Sequence, residues 1–264
     1  MNRPISIAAE TPVLQNRLAR TLASLPLSFR AGGQSEASWT VLVAGDDDWV
    51  TRATLAVQAG SRAVIVADPG MTDPDAVIAL SDCAEKAGAT VQLAERYAGD
   101  PTLLRHRDDL IQHLAATSTI LINQVDDIVT PERVTLDMAR TVRVLGHSLC
   151  VTHRWQTAHA VMIRGTVGDK LFEGVATEGS AGQGQRLDAL GFGRTLRLSL
   201  RGDGSARPSD LRIANAKGER KLPDVFESVD RAAWQRALIA IESGQSNGDA
   251  LRQFADDVAM IRSL

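Results

Sequence analysis

Short apolar segments alternate with helical segments through the first 116 residues. Segments such as Thr40–Ala44 and Ala63–Ala67 are almost entirely apolar, which is typical of parallel strands whose two faces are both covered. The pattern predicts strands at residues 5–9, 27–31, 40–44, 63–67 and 90–94, with helices that begin near residues 12, 48 and 74. Because strands that alternate with helices form a parallel sheet, we expect an α/β fold with a Rossmann-like domain over residues 1–116.

The second half of the chain has a different pattern. A predicted strand at residues 119–125 and a helix at 131–145 precede longer segments in which polar and apolar residues alternate. These segments predict strands at residues 147–156, 158–166, 170–177, 185–190 and 195–201, separated by turns that contain glycine. We therefore expect a C-terminal α/β domain over residues 117–264 with an open antiparallel sheet, one face of which a helix or another subunit must cover. The closing helices within residues 226–264 are expected to pack back on this domain.

The first turn of the parallel sheet lacks the features of a phosphate-binding turn. It reads Ala8, Ala9, Glu10, Thr11, Pro12, Val13, with no glycine, a proline that has no N–H group, and a carboxylate. A dinucleotide pyrophosphate needs glycines, so that the backbone can approach it, and free N–H groups at the start of the helix. The sequence therefore predicts a degenerate turn and no bound cofactor.

Composition excludes several classes of protein. The net charge of −3 gives no reason to expect a nucleic-acid partner. The sequence has no apolar run of about 18 residues and no signal-peptide pattern, so we expect a cytoplasmic protein without a membrane partner. Cys83 and Cys150 are far apart and form no CxxC pair, which favours two reduced thiols over a disulfide or a metal site.

His147, His153 and His159 recur at regular spacing on predicted strands. A metal cluster and three unrelated sheet histidines both fit this spacing. The lack of a carboxylate or cysteine pattern around them favours the second, so no metal is expected. Lys86 and Arg96 are expected to be surface charges.

Four strings of the chain resemble segments of the Gfo/Idh/MocA oxidoreductase family. Residues 40–45 resemble its "VVVATP" strand, 63–69 its "HVLVEKP" strand, 84–88 its "AEKAG" helix end and 94–101 its "AENYRFDP" segment. The resemblance implies a Rossmann domain joined to an α/β domain whose open sheet often serves oligomerisation, and NAD(P)-dependent activity. It also implies a shortened member, with the shortfall between Ala31 and Trp39.

The resemblance further implies where functional residues should stand, and this sequence departs from each position. The glycine fingerprint falls on residues 8–13, and the lysine of "EKP" falls on Asp68. The "DxGxH" signature, which supplies the family's catalytic histidine, best matches residues 137–141, where Asp137 is kept and Thr141 replaces the histidine. We therefore predict a degenerate, shortened family member without catalytic residues at Asp68, Asp137 or Thr141.

Three hypotheses about function follow. The first is a non-catalytic structural or regulatory subunit, which associates through the open sheet with itself or with an active oxidoreductase. The second is an NAD(P)-dependent oxidoreductase that acts on a sugar-like substrate with an atypical cofactor site. The third is a small-molecule binding module that retains the cleft between its domains.

Overall fold

A computed structural model describes residues 3–7, 12–24, 29–31, 40–179, 182–202, 204–244 and 248–264 of the chain. The strands are β1 (Arg3–Ile7), β2 (Phe29–Ala31), β3 (Thr40–Ala44), β4 (Ala63–Ala67), β5 (Thr90–Ala94), β6 (Thr119–Asp126), β7 (Leu149–Gln156), β8 (Ala160–Val167), β9 (Lys170–Glu178), β10 (Gly184–Gly191), β11 (Arg194–Arg201), β12 (Asp210–Asn215) and β13 (Gly218–Lys221). The helices are α1 (Pro12–Ser24), α2 (Trp49–Gln58), α3 (Pro74–Ala87), α4 (Pro101–Arg105), α5 (Arg107–Leu114), α6 (Pro131–Val144), α7 (Val229–Ser243) and α8 (Gly248–Arg262).

The chain divides into two compact units. Unit 1 comprises Met1–Glu95 and Val229–Ala259, and unit 2 comprises Arg96–Ser228 and Met260–Leu264. This division differs from the boundary expected at residues 116 and 117. The reason is packing, since Leu103 of α4 and Leu110 of α5 belong to the core of unit 2, whereas Trp234 of α7 belongs to a core of unit 1.

Unit 1 contains a sheet of five parallel strands in the order β2-β1-β3-β4-β5. Strand β4, which lies between β3 and β5, is buried along its whole length, because helices cover both faces of a parallel sheet. Ala63, Ile65 and Ala67 of β4 pack against Ala233 and Trp234 of α7. The predicted parallel sheet is therefore confirmed, and the cover for this face of it comes from a helix more than 130 residues later in the chain.

A second set of contacts joins the helices of unit 1. The guanidinium of Arg17 on α1 donates to both carboxylate oxygens of Asp230 on α7, from Nε at 3.0 Å and from Nη2 at 2.5 Å. The indole ring of Trp49 meets the ring of Phe254 edge to face, with 5.8 Å between the ring centroids. These contacts hold α1 and α2 to the helices that close the chain.

Unit 2 contains a sheet of eight strands in the order β13-β12-β11-β10-β6-β9-β8-β7. All neighbours pair antiparallel except β6 and β9, which are parallel. The open antiparallel sheet is thus confirmed, with one parallel pair that the sequence did not indicate. One face is apolar and lies under α6, whose Val134, Met138 and Val142 pack on it. Gly174 of β9 lies directly beneath Met138, in a place where a Cβ atom would meet the methionine sulfur.

The opposite face of this sheet carries mostly polar and charged side chains. We call it the open face. Residues that alternate with the buried ones point to it, among them Arg186, Arg197 and Arg212. In the described part of the chain, no helix is both long and apolar enough to cross a membrane.

Candidate functional site

Helix α6 contains Asp137 and Thr141, the two positions that the resemblance assigns to the family's signature, and it lies in unit 2. Thr130 precedes the helix, and Pro131 takes a first-turn position that needs no backbone donor. Asp137 and Thr141 are one turn apart, so they lie on the same side of the helix. Both are buried, Thr141 completely. The structure therefore brings together two of the predicted positions, but in the interior of the unit.

A chain of hydrogen bonds connects these two side chains through two glutamines of the sheet. Thr141 Oγ1 lies 2.7 Å from Gln185 Oε1, and Gln185 Nε2 donates to Gln124 Oε1 at 2.9 Å. Gln124 Nε2 then donates to Asp126 Oδ2 at 2.6 Å and to Asp137 Oδ2 at 3.0 Å. We call these five residues the buried network. Strands β6 and β10 are neighbours, and the register sets Gln124 opposite Gln185.

The direction of every bond in the buried network follows from its two carboxylates. An ionised carboxylate only accepts hydrogen bonds, so Gln124 must turn its amide N–H₂ group toward Asp126 and Asp137. Its carbonyl then faces Gln185, which must donate, and the carbonyl of Gln185 faces the hydroxyl of Thr141. A hydroxyl has one proton, and Thr141 shares it between Gln185 and the carbonyl of Asp137, 2.9 Å away.

Each carboxylate of the buried network also has an arginine. Arg96 Nη1 donates to Asp126 Oδ1 at 2.7 Å, and Arg133 Nε lies 3.1 Å from Asp137 Oδ1. Tyr97 donates from its hydroxyl to the same oxygen of Asp126 at 3.3 Å. Burial, and next the charge of Asp126, raises the pKa of the Tyr97 phenol far above its usual value, so the phenol stays protonated.

This arrangement cannot transfer protons in the way that a histidine would. The Thr141 hydroxyl has no titration near neutral pH, and both carboxylates are bound by an arginine and an amide. A catalytic acid or base must reach a reacting group within hydrogen-bond distance, and these polar atoms are directed at one another. The network as built stabilises the packing of α6 against β6 and β10.

Most of this network was not predicted from the sequence. Arg96 was expected to be a surface charge and that expectation is wrong, because its guanidinium binds the buried Asp126. A signal for the network exists in β6. Every second residue of β6 lies on the same face, and the structure buries that face. Along it, two apolar residues are followed by two polar ones, in the order Ile120, Ile122, Gln124 and Asp126.

The carboxyl edge of the unit 1 sheet, where parallel-sheet proteins bind ligands, is rich in carboxylates. Asp46, Asp47 and Asp48 follow β3, Asp68 follows β4 and Glu95 follows β5. Arg52 pairs with Asp46. Asp68 has a positive φ of 57°, and the place of a Cβ atom on Gly45 is taken by the Asp68 carbonyl. The turn at residues 8–11 lies outside the described residues, and Pro12 begins α1 as predicted.

The three histidines of the second half contact different groups. His153 stacks on Trp155 with 5.4 Å between ring centroids, His159 Nδ1 lies 2.7 Å from Glu178 Oε2, and His147 lies beside Gly168. Among the residues that the structure describes, no group of three or more histidine, cysteine, aspartate or glutamate side chains is placed to hold a metal ion.

Comparison of the structure with solved structures places the fold. KijD10, a 3-ketoreductase from Actinomadura kijaniata in complex with TDP-benzene and NADP, matches with a TM-score of 0.76 at 9% identity over 100% of this chain and 97% of that chain. A Gfo/Idh/MocA family oxidoreductase from Vibrio cholerae matches with a TM-score of 0.70 at 11% identity over 99% of this chain and 96% of that chain. The chain has the Gfo/Idh/MocA oxidoreductase fold. UDP-N-acetylglucosamine 3-dehydrogenase GnnA from Acidithiobacillus ferrooxidans has the same fold, with a TM-score of 0.74 at 13% identity over 99% of this chain and 96% of that chain.

The likeness is one of structure. No protein-family model and no curated protein matches the chain by sequence. The resemblance that the four short strings indicated is thereby confirmed at the level of the Gfo/Idh/MocA fold, and the two-domain α/β class is confirmed with it. The structural neighbours described above are a ketoreductase, a dehydrogenase and an oxidoreductase.

Proposed function

We propose that this chain is a non-catalytic protein on the Gfo/Idh/MocA fold, which acts as a structural or regulatory subunit. The observation that carries the proposal is the buried network. Thr141, to which the resemblance assigns the position of the family's histidine, donates its hydroxyl to Gln185. Asp137, assigned to the aspartate of the same signature, is bound to Gln124 and Arg133. A site that delivers a proton needs a titratable group that faces the substrate, and these two side chains face protein.

The charge of unit 1 supports the same proposal. A dinucleotide brings two phosphate charges to the carboxyl edge of a parallel sheet, and that edge already carries the carboxylates that follow β3, β4 and β5. At an effective dielectric constant near 20, two like charges about 4 Å apart repel by roughly 4 kcal/mol. This is half of the roughly 8 kcal/mol that corresponds to micromolar affinity. We expect NAD(P) to bind in the millimolar range or not at all.

Calorimetry tests the cofactor part of this proposal. The protein is titrated with NAD(H) and with NADP(H) up to millimolar concentration, and the expected result is no saturable heat. The matched control is Asp68→Lys, which places the lysine of the family's "EKP" string at the sheet edge and replaces a negative charge there by a positive one. If the unaltered chain bound either dinucleotide with micromolar affinity, the proposal would be overturned.

The comparisons favour a second candidate, an NAD(P)-dependent oxidoreductase that acts on a sugar-like substrate. On fold alone this candidate is the better supported, because the matched structures include a ketoreductase with NADP and a UDP-N-acetylglucosamine dehydrogenase. The side chains at Asp68 and Thr141 are what favour the first. An assay of NAD(P)H absorbance with nucleotide-linked sugars separates the two, since only the second candidate predicts substrate-dependent turnover.

The partner we propose is a second copy of the chain or an active oxidoreductase, associated through the open face. Helix α6 already covers the opposite face of the sheet, so the open face is the one that a partner can reach. Sedimentation at micromolar concentration tests the self-association, and a purely monomeric protein would argue against it. We further propose a cytoplasmic location, for which the two free cysteines of the described chain are the support.

A further inference from the structure

The open face carries one side chain from each of its eight strands in a single row across the sheet. Strand register fixes this row, because residues directly opposite one another share a face. From β13 to β7 its members are Lys221, Arg212, Arg197, Asp188, Leu121, Glu173, Arg164 and His153. We call it the charged row.

Three positive charges are neighbours in the row. Arg197, Arg212 and Lys221 stand directly opposite one another on β11, β12 and β13, and like charges in such positions destabilise strand pairing. Asp188 pairs with Arg197 at 2.8 Å, and Asp210 from the next row pairs with Arg212 at 2.7 Å. All three cations nevertheless remain about half exposed.

When two copies of the sheet pack face to face about a two-fold axis parallel to the strands, opposite charges of their two rows can face each other. Sheets that pack face to face keep their strands roughly aligned at a separation of about 10 Å. An axis between β10 and β11 sets β11 over β10 of the second copy, and β13 over β9 of the second copy. Arg197 then faces Asp188 of the second copy, and Lys221 faces Glu173 of the second copy. Symmetry forms each pair twice, and Arg212 faces the neutral Leu121.

No other position of the axis along the row does as well. An axis on β6, for example, sets Arg197 over Arg164 and Asp188 over Glu173, so that like charges meet throughout. At every remaining position of the axis, like charges face each other or at most half as many ion pairs form. The row is therefore self-complementary at one place only.

The hairpin between β10 and β11 gives an independent reason for the same axis. Its tip carries Phe192, the most exposed large hydrophobic residue of the described chain at 104% relative accessibility, and Leu190 before it is also exposed. Gly191 lies so close to the Ala116 carbonyl that a Cβ atom has no room, and Ser118 N donates to Leu190 O at 2.8 Å. The tip is thus held in place, and an axis between β10 and β11 brings the two copies of Phe192 together.

We infer that a second copy of this chain docks on the open face about a two-fold axis between β10 and β11, with the charged row and Phe192 as its contacts. The inference rests on the proposed self-association and adds the position of the axis and the residues that meet there. Exposed aromatic side chains that become buried at the centre of an interface are typical anchors of binding.

A charge-swap experiment tests the axis. Glu173 on β9 and Lys221 on β13 are five strands apart, roughly 24 Å, so they do not interact within one chain at physiological salt, where the screening length is about 8 Å. Both side chains are accessible, at 40% and 46%. The variants are Glu173→Lys, Lys221→Glu and their combination, and the measurement is the dimer dissociation constant by sedimentation equilibrium at physiological salt.

Each single variant faces like charges across the axis twice, so we expect its dimer to be about tenfold weaker. The combined variant faces opposite charges again and should return to within about threefold of the original value. Losses inside one chain, such as the pair of Glu173 with Arg164, persist in the combined variant and cannot produce this rescue. Phe192→Ser should weaken the dimer in the same assay.

Asp109→Lys and Lys86→Glu make the same charge changes on exposed helix positions outside the row and should leave the dimer unchanged. A dimer that tolerates both single variants, or is weakened without rescue, overturns the axis while self-association stands. A monomer at every concentration overturns both. Dinucleotide titration is independent of all these outcomes, so a failure of the non-catalytic proposal is recognised separately.

Discussion

Gln124 is the residue on which the buried network depends most. Gln124→Leu keeps the side-chain size but removes the amide that serves both carboxylates, at 2.6 Å to Asp126 and 3.0 Å to Asp137. A hydrogen bond to a charged group contributes about 1.5–3 kcal/mol, and a buried donor left without an acceptor costs about 1–3 kcal/mol more. Gln185 Nε2 becomes such a donor. Since burying leucine returns part of this loss, we expect the free energy of unfolding to fall by about 3–5 kcal/mol.

Substitutions at the other members of the buried network should lower the free energy of unfolding by less, in a fixed order. Gln185→Leu breaks only neutral hydrogen bonds, to Gln124 and Thr141, so its expected cost is about 1–3 kcal/mol. Thr141→Val removes one hydroxyl and should cost about 1 kcal/mol. Ile122→Val in the same strand is the control for a change of volume without polarity, at about 0.5–1.5 kcal/mol.

Urea unfolding followed by far-ultraviolet circular dichroism measures these costs, and hydrogen exchange of α6 peptides assigns them to unit 2. For a chain of this size about 1 kcal/mol corresponds to 2–4 °C in Tm, so Gln124→Leu should melt roughly 6–20 °C lower. Two results would contradict this order: Gln124→Leu costs no more than Ile122→Val, or Thr141→Val costs the most. Either result would mean that the carboxylates do not rely on the glutamine amide.

Three further predictions follow from the same unit. Arg96→Met leaves Asp126 without its cation and should lower the free energy of unfolding by about 2–3 kcal/mol in urea titrations. This cost is at or below the roughly 3–5 kcal/mol of a broken, fully buried pair, because Arg96 is partly exposed. Burial raises the pKa of Asp100 above its usual 3.8, so the native state holds this proton more tightly than the unfolded state. The stability of the unaltered protein relative to Asp100→Asn should therefore fall as the pH rises from about 4 toward 7. Melting curves that show this difference in Tm increasing with pH would contradict the prediction. Gly174→Ala forces a methyl group against the Met138 sulfur and should cost about 1–3 kcal/mol, less in the combination with Met138→Ala.

The parallel sheet of unit 1 was predictable because its strands are continuous apolar runs. Ala63–Ala67 contains no polar residue, and the structure buries all of it. Strands β12 and β13 escaped prediction because Asp210–Lys221 carries mostly charged and polar residues, with Leu211 and Ile213 as its only strong apolar signal. Their pairing depends on β11, and a single strand does not show which partner it will find.

The candidate site was harder to predict than the fold. Asp137 and Thr141 were found because a family pattern marks their spacing, yet nothing local shows that Gln185, from a strand more than 40 residues later, would bind Thr141. Glutamine is mostly an exposed residue, so an isolated glutamine in the sequence indicates a surface position rather than a core one. Polar residues that interrupt an apolar stripe, as Gln124 does in β6, are the only local sign of such a partner.

Helix α7 is synthesised long after the strands of the sheet that it covers. The strands that α7 covers leave the ribosome first, but Ala233 and Trp234 follow only after all of Arg96–Ser228 has been made. At a synthesis rate of about 5–20 residues per second, the apolar face of β4 stays exposed for on the order of ten seconds before α7 can pack on it. A nascent chain of this protein is therefore exposed to aggregation during that interval, and a trigger-factor-like chaperone that binds apolar strands would raise its yield.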